Sequence, residues 1–100
     1  MSTPVRVVAL LTAAPGKGGE LLTLWPALSA QVHAEAGCLA YDLHRVASDT
    51  DRFVVLERWA SVEALREHGG SPHMRQFGRD AASVLAAPAE VIVLEDEPAT

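Results

Sequence analysis

The spacing of apolar and polar residues along the chain predicts six main elements joined by short turns. Short runs with apolar or alternating residues, bounded by turn signals, predict four strands, which span residues 5–13, 38–46, 51–59 and 90–95. After the first strand, apolar residues recur every three or four positions, as on one face of a helix: Leu21, Trp25, Leu28 and Val32. A second helical region lies between the third and fourth strands.

Turn-forming and helix-breaking residues set the expected limits of the first helix. The turn at 14–16 ends the first strand, and Gly37 is expected to end the helix as its C-cap residue. Pro26 lies inside the apolar repeat and lacks a backbone N–H, so an irregularity is expected near Leu22.

The second helical region is predicted to be divided by a glycine pair. Ser61 is placed to cap a short helix through Glu67, and Gly69-Gly70 ends it. Ser71 followed by Pro72 starts the next helix. That helix is expected to continue to Pro88, with an apolar stripe of Met74, Phe77, Ala81 and Val84.

The second and third strands are predicted to form an antiparallel hairpin around the turn at 47–50. Alternation groups Leu39, Tyr41, Leu43 and Arg45 on one face of the second strand. In the third strand it groups Phe53, Val55, Glu57 and Trp59. The order β-α-β-β-α-β predicts an α+β, ferredoxin-like fold with a four-stranded antiparallel sheet and helices on one sheet face. Apolar residues on both faces of strands one and three predict a homodimer through the uncovered face.

Length and composition predict one globular domain over residues 1–100, with a core from about 5 to 95 and an acidic tail at 96–100. Of its residues, 49% are hydrophobic, which argues against disorder. The net charge is -5, and the eight basic residues are scattered singly, so a nucleic acid partner is not expected.

The single cysteine, Cys38, excludes an internal disulfide and is consistent with a reducing cytoplasm. The apolar segment at 5–13 is too short to span a bilayer and has no basic region ahead of it beyond Arg6. A cytoplasmic protein without a membrane partner is therefore expected.

Five stretches, taken in order, resemble the antibiotic biosynthesis monooxygenase domain, a group of small dimeric α+β barrels. They are "PGKGGELL", "EAGCLAYDLHR", "DRFVVLERWAS", "ALREHGGSPHMRQF" and "VIVLE". The resemblance covers the chain from about Val5 to Glu95. It implies a cofactor-independent monooxygenase that oxidises an aromatic polyketide, anthrone or quinol with molecular oxygen.

Such a reaction needs a proton acceptor, apolar walls and exclusion of water. His68 and His73 are the candidate bases, and the sequence leaves the choice between them open. The resemblance implies a pocket wall at Trp59, although a strand-end tryptophan is also a common core residue. Tyr41 and Phe77 complete the candidates for substrate binding.

No cofactor and no metal ion are expected. His68 and His73 are five residues apart across a helix break, which is not the spacing of a helical zinc motif, and no carboxylate cluster lies beside them in sequence. Haem-degrading relatives use an asparagine and an axial histidine where this chain has Ala9 and Gly78. Some anthrone oxygenases also carry an asparagine in the first strand, and its absence here is a departure from them.

Two other functions stay open at this point. One is a non-catalytic domain that binds a small aromatic ligand or assists a biosynthetic partner. The other is a non-redox isomerase of a small hydroxylated carbonyl compound. Substrate conversion separates both oxidation and isomerisation from simple binding, and oxygen dependence separates oxidation from isomerisation.

Overall fold

A four-stranded antiparallel sheet with three helices forms the structure, a computed structural model that describes residues 3–99. The elements are β1 (Val5–Thr12), α1 (Gly18–His33), β2 (Cys38–Arg45), β3 (Arg52–Trp59), α2 (Val62–Gly69), α3 (Pro72–Ala81) and β4 (Glu90–Leu94). The strand order is β2-β3-β1-β4, and each neighbouring pair is antiparallel. The predicted α+β ferredoxin-like fold is confirmed. None of the helices within residues 3–99 is long and apolar enough to cross a bilayer.

The core lies between the helices and one face of the sheet. The predicted apolar stripe of α1 is buried, as are the alternate residues that β1 and β3 direct toward it. In β3 all four residues grouped by alternation are buried: Phe53, Val55, Glu57 and Trp59. Burying one large apolar side chain stabilises a fold by roughly 1.5 to 3 kcal/mol, so these strands and α1 supply most of the hydrophobic stabilisation.

The end of α1 differs from its prediction. The helix ends at His33 with Ala34 as its C-cap, before Gly37. Gly37 has a different reason to be glycine, because a Cβ there would lie 2.3 Å from the Cβ of Ala64 in α2. Pro26 lies on the exposed side of α1, and the helix continues through it from Gly18 to His33.

An irregularity at the start of β2 changes which residues face the core. The pairing with β3 shifts register between Cys38 and Ala40, and this shift leaves Leu39 52% exposed. Cys38 packs against the core instead. The predicted grouping of Leu39 with Tyr41 on one face is therefore wrong, because one irregular residue reverses the alternation before it.

The second helical region has the predicted caps but a different end. The Ser61 hydroxyl accepts a hydrogen bond from the Ala64 N–H at 3.1 Å, and the Ser71 hydroxyl accepts one from the Met74 N–H at 3.4 Å. Helix α3 ends at Ala81 rather than continuing to Pro88. Val84 is buried beyond the helix, where the chain returns to the sheet.

The turn into α1 leads to a prediction about two adjacent glycines. The Asp51 carboxylate accepts hydrogen bonds from the Gly16 and Gly18 N–H groups, both at 2.9 Å. A Cβ on Gly18 would lie 2.0 Å from the backbone oxygen of Thr50, which cannot rotate away. We expect Gly18→Ala to lower the free energy of unfolding by about 1 to 3 kcal/mol, as overpacking does.

Gly19→Ala is the matched control, since within residues 3–99 no atom outside its chain neighbours and its own helix backbone lies within 4 Å of a Cβ at Gly19. Alanine also favours helix over glycine, so this variant should be neutral or slightly more stable. Urea unfolding of both variants measures the difference. Equal stability of the two variants would show that the turn at Gly18 can move away from Thr50.

Candidate active site

A cavity of about 520 Å³ lies between the sheet and the helices. All three helices, β1, β2, β3 and the segment that leads into β4 contribute to its walls. The large apolar and aromatic lining residues are Trp25, Tyr41, Val55, Leu65, Met74 and Phe77. The volume falls within the range of small-molecule sites, and the apolar lining is typical of them.

One carboxyl side chain and one imidazole line this cavity, those of Glu57 and His68. Both are buried, with 8% and 5% of their surface exposed. No lysine or arginine lies among the lining residues that the structure describes. The cavity therefore presents one carboxyl group and one imidazole in apolar surroundings.

Burial raises the pKa of the Glu57 carboxyl above its ordinary range, against the lowering influence of the Trp59 hydrogen bond and the charge of His68. The indole N–H of Trp59 donates to Glu57 Oε1 at 2.9 Å. This bond occupies one carboxyl oxygen and leaves Oε2 for other partners. Glu57 is thus held in place by a fully buried residue, and its uncharged form is favoured relative to that of an exposed glutamate.

His68 belongs to a three-residue cluster that comes from three parts of the chain. Oε2 of Glu35, between α1 and β2, lies 2.8 Å from His68 Nδ1 in the last turn of α2. The same oxygen lies 2.8 Å from His73 Nε2 in the first turn of α3. The side chains of Glu35, His68 and His73 are 16%, 6% and 14% exposed. The cluster ties the two helices to the α1–β2 connection.

Two imidazoles and a carboxylate are also a donor set that transition metals use. The three donor atoms lie within 4.8 Å of one another, so they could hold a metal ion. The sequence argued against a metal because the two histidines are five residues apart across a helix break and no cluster of carboxylates lies beside them. The fold brings in the carboxylate of Glu35 from 33 residues before His68, and here the three atoms are joined by hydrogen bonds.

Aromatic rings form a continuous wall beside these polar groups. The Trp25 and Tyr41 rings are stacked, with centroids 5.5 Å apart and planes 4° apart, and Phe77 meets Trp25 edge-on at 5.8 Å. Trp59 lies against the His68 imidazole at 4.4 Å. Burial, with the nearby Glu57 and Glu35 charges, raises the pKa of the Tyr41 hydroxyl, so Tyr41 stays protonated and is not a base at neutral pH.

The structure brings together most of the residues singled out from the sequence, in different positions relative to the cavity. Tyr41, Phe77 and His68 line it. Trp59 is fully buried and contacts His68 and Glu57 from outside the lining set. His73 also lies outside the lining set and contacts Glu35. Their catalytic and binding roles stay predictions.

Three residues at the site were not among the candidates singled out from the sequence. Glu57 had a signal, because it is the one charged residue on the otherwise apolar face of β3. Trp25 was recognised only as a member of the helix stripe, and periodicity cannot separate a core residue from a cavity wall. Glu35 had no signal, since its partners come from elements that only the tertiary fold brings together.

The raised pKa of Glu57 leads to a prediction about stability and pH. A group whose pKa is higher in the folded state than in the unfolded state contributes to the free energy of unfolding. That contribution is complete below the unfolded-state pKa, about 4.3, and is lost as the pH rises through the folded-state pKa. Glu57→Gln keeps an acceptor for Trp59 but cannot ionise. We therefore expect the variant to gain stability relative to the wild type as pH rises from 4 to 8. Melting temperatures over that range test it, and a difference that does not vary with pH would contradict it.

Comparisons with known proteins place this chain in a family. The sequence model described as "Antibiotic biosynthesis monooxygenase" matches residues 4–80. The chain is 37% identical over 94 residues to "Putative monooxygenase Rv0793" of Mycobacterium tuberculosis, covering 94% of this chain and 92% of that protein. It is 30% identical over 87 residues to "Putative monooxygenase YcnE" of Bacillus subtilis, covering 87% and 92%. The chain belongs to the antibiotic biosynthesis monooxygenase family.

A solved structure agrees with this assignment. The crystal structure of PA3566 from Pseudomonas aeruginosa is 37% identical to this chain, has a TM-score of 0.87, and is matched over 97% of both chains. Family membership and the two named relatives support monooxygenase activity for this chain. The substrate class has to be inferred from the cavity.

Proposed function

We propose that this protein is a cofactor-independent monooxygenase that oxidises a neutral, planar aromatic substrate, such as a polyketide anthrone or a quinol, with molecular oxygen. The observation that carries this proposal is the aromatic-walled cavity in which a buried imidazole, His68, is the available proton acceptor. His73 is the less suitable of the two predicted bases, because it is not among the residues that line the cavity.

The substrate supplies all four electrons that the reaction needs. His68 takes a proton from the substrate, and the resulting electron-rich anion passes an electron to O2. Combination of the two radicals forms a C–O bond and gives a peroxide. The proton on His68 returns to the outer peroxide oxygen. The remaining hydrogen then leaves the same carbon as a proton while the O–O bond breaks, so the outer oxygen departs as water and the carbon becomes a carbonyl group. One oxygen atom enters the product and the other becomes water, so the atoms balance without an external reductant.

The few polar groups of the cavity match the charges that develop during this reaction. After proton transfer, the His68 imidazolium is the cation nearest the substrate anion, since no lysine or arginine is among the lining residues described. An uncharged Glu57 can donate a hydrogen bond from Oε2 to the same anion, because Trp59 occupies Oε1. Apolar walls keep water away and strengthen both interactions.

The same charges define the substrate class. A ligand that arrives with a carboxylate or phosphate would meet a buried carboxyl group and no permanent cation, so its desolvation would not be compensated. A neutral planar ring system can stack on the Trp25–Tyr41 wall and place a hydroxyl group at His68. The cavity volume fits a compound of two or three fused rings.

Oxygen uptake with paired substrates tests this proposal. Anthrones and naphthoquinols would be compared with their ring-carboxylated analogues, each against the uncatalysed rate. We expect uptake with neutral compounds and at least tenfold lower kcat/KM with the carboxylated ones. Binding of a neutral compound without conversion would instead identify a ligand-binding domain, and conversion without oxygen would identify an isomerase. Either outcome overturns the monooxygenase proposal.

We also propose that two copies associate through the sheet face that the helices leave uncovered. Leu56 and Ile92 are 46% and 38% exposed on that face, and both lie opposite Val8 of β1 in the pairing. The face carries both Arg58 and Asp42, and such a mixture allows two copies to pair opposite charges across a two-fold axis. An apolar patch of this kind favours association.

We predict that sedimentation will give the mass of two chains at micromolar concentration and that Leu56→Glu will give one chain. Burying an unpaired carboxylate in the interface opposes association. Leu22→Glu is the control, because Leu22 is 45% exposed on α1, a helix that packs on the opposite face of the sheet. A wild-type mass of one chain would contradict the dimer.

A further inference from the structure

We infer that Glu35 is a positioning residue: its carboxylate fixes His68 with the proton on Nδ1 and leaves the Nε2 lone pair for the cavity. The inference rests on the proposed function, because it assigns the state in which His68 acts as a base. It concerns a residue that neither the sequence pattern nor the cavity lining indicates.

The donor and acceptor in the hydrogen bond between His68 and Glu35 determine the tautomer of His68. An ionised carboxylate can only accept, so the imidazole nitrogen at 2.8 Å from Glu35 Oε2 has to donate. That nitrogen is Nδ1 of His68. In a neutral ring the other nitrogen, Nε2, then carries the lone pair. The opposite tautomer would place two lone pairs against each other and leave the cavity with a donor instead of an acceptor.

The location of the bond determines which nitrogen serves the cavity. His68 lines the cavity, whereas Glu35 does not. The Nδ1 edge of the ring is therefore engaged with a residue outside the lining, and Nε2 is the nitrogen that remains for the substrate. The Trp59 ring at 4.4 Å and the Tyr41 ring at 5.5 Å confine the imidazole on other sides.

Glu35 itself needs an anchor, since it lies in the connection between α1 and β2 rather than inside a helix or strand. His73 provides one by donating from Nε2 to the same carboxylate oxygen at 2.8 Å. His73 thereby acts on His68 through Glu35. This gives His73 a positioning role, distinct from the role of proton acceptor at the substrate.

The arrangement also stabilises the product of proton transfer. When Nε2 takes a proton, the Nδ1–H bond to Glu35 becomes a charge-assisted hydrogen bond within a buried pair. A carboxylate that orients a histidine base in this way and stabilises its imidazolium form is a recurrent catalytic device. The titratable groups that face His68 are Glu35, Glu57 and Tyr41, and His73 faces it across Glu35.

Nitrogen-15 NMR of the histidine rings tests the tautomer without reference to activity. In the neutral ring of wild-type His68 we expect a protonated Nδ1 and an unprotonated Nε2. In Glu35→Gln the side-chain amide can donate to Nδ1, so the ring should populate the other tautomer. A wild-type ring with its proton on Nε2, or an unchanged pattern in Glu35→Gln, would overturn the inference.

Steady-state oxygen uptake tests the consequence for the reaction. We expect kcat to fall by about 10- to 100-fold in Glu35→Gln, with KM little changed, because the substrate does not contact Glu35. Glu35→Asp keeps a carboxylate and should retain more of the rate and its pH profile. Glu63→Gln is the control, as Glu63 is exposed in the first turn of α2. Equal rates for wild type and Glu35→Gln would contradict the positioning role.

Two further arms separate this inference from its alternatives. Treatment with a chelator should change neither the NMR pattern nor the rate, and loss of either would mean that the three atoms hold a metal ion instead. If the wild type takes up no oxygen with any substrate, the proposed function fails while the NMR result still decides the tautomer. His73→Ala should have a smaller effect than Glu35→Gln, since it removes only the anchor.

Discussion

His68→Ala is expected to lower kcat for oxygen uptake by about 10²- to 10⁴-fold, the usual contribution of a positioned general base. The variant leaves the aromatic wall formed by Trp25, Tyr41 and Phe77 in place, so a neutral substrate should still bind. The loss should therefore appear in kcat more than in KM. His68 is the imidazole among the described lining residues, and Glu57 is the carboxyl group there that could accept a proton in its place.

The control for this experiment is His44→Ala. His44 is exposed on β2, where it pairs with Val54 rather than lining the cavity. It should keep the wild-type rate. A His68→Ala variant that stays within about threefold of wild type would assign the base elsewhere, and a further loss in Glu57→Gln would then identify Glu57 as the proton acceptor.

Trp59→Ala is expected to lower the free energy of unfolding by about 3 to 5 kcal/mol, the range for a fully buried large aromatic side chain. Trp59 has 0% exposed surface and packs against both Tyr41 and His68. Its loss would also leave Glu57 without its indole donor. Because small domains are stable by only about 5 to 15 kcal/mol, much of the variant should unfold in low concentrations of urea.

Trp59→Phe gives a measurement if the alanine variant does not fold. It keeps most of the ring packing but removes the hydrogen bond, so its loss of stability should be well below that of Trp59→Ala. Leu22→Ala is the control, because Leu22 is 45% exposed and exposed substitutions change stability by about 0.5 kcal/mol or less. If Trp59→Ala were no less stable than Leu22→Ala, the packing described for Trp59 would be wrong.

The fold could be predicted from the sequence because local and long-range signals agree. Alternation in β3 and the three- and four-residue spacing in α1 each identify the buried face, and these two faces form the core. The failures occurred at element ends. The register shift near Leu39 arises in the pairing with β3, and α1 ends at His33 before the glycine that the local pattern favoured as its C-cap.

The candidate site could be predicted only in part, for a related physical reason. Residue type and the family resemblance were enough to single out His68 and Tyr41, which line the cavity. They were not enough to choose between His68 and His73, since the choice depends on which ring reaches the cavity. Glu35 is 33 positions from His68 and meets it only after α1 and α2 pack on the sheet. The spacing of residues along the chain does not identify residues that act through tertiary contacts.

The most direct test of the central proposal is isotope incorporation by metal-stripped, flavin-free protein supplied with 18O2 and a neutral anthrone or naphthoquinol. We expect one 18O atom in each product molecule, the second in water, and a rate well above the uncatalysed background. His68→Ala should lose that rate. Turnover that requires an added metal or flavin, or no turnover with any neutral aromatic, would contradict a cofactor-independent monooxygenase at this cavity.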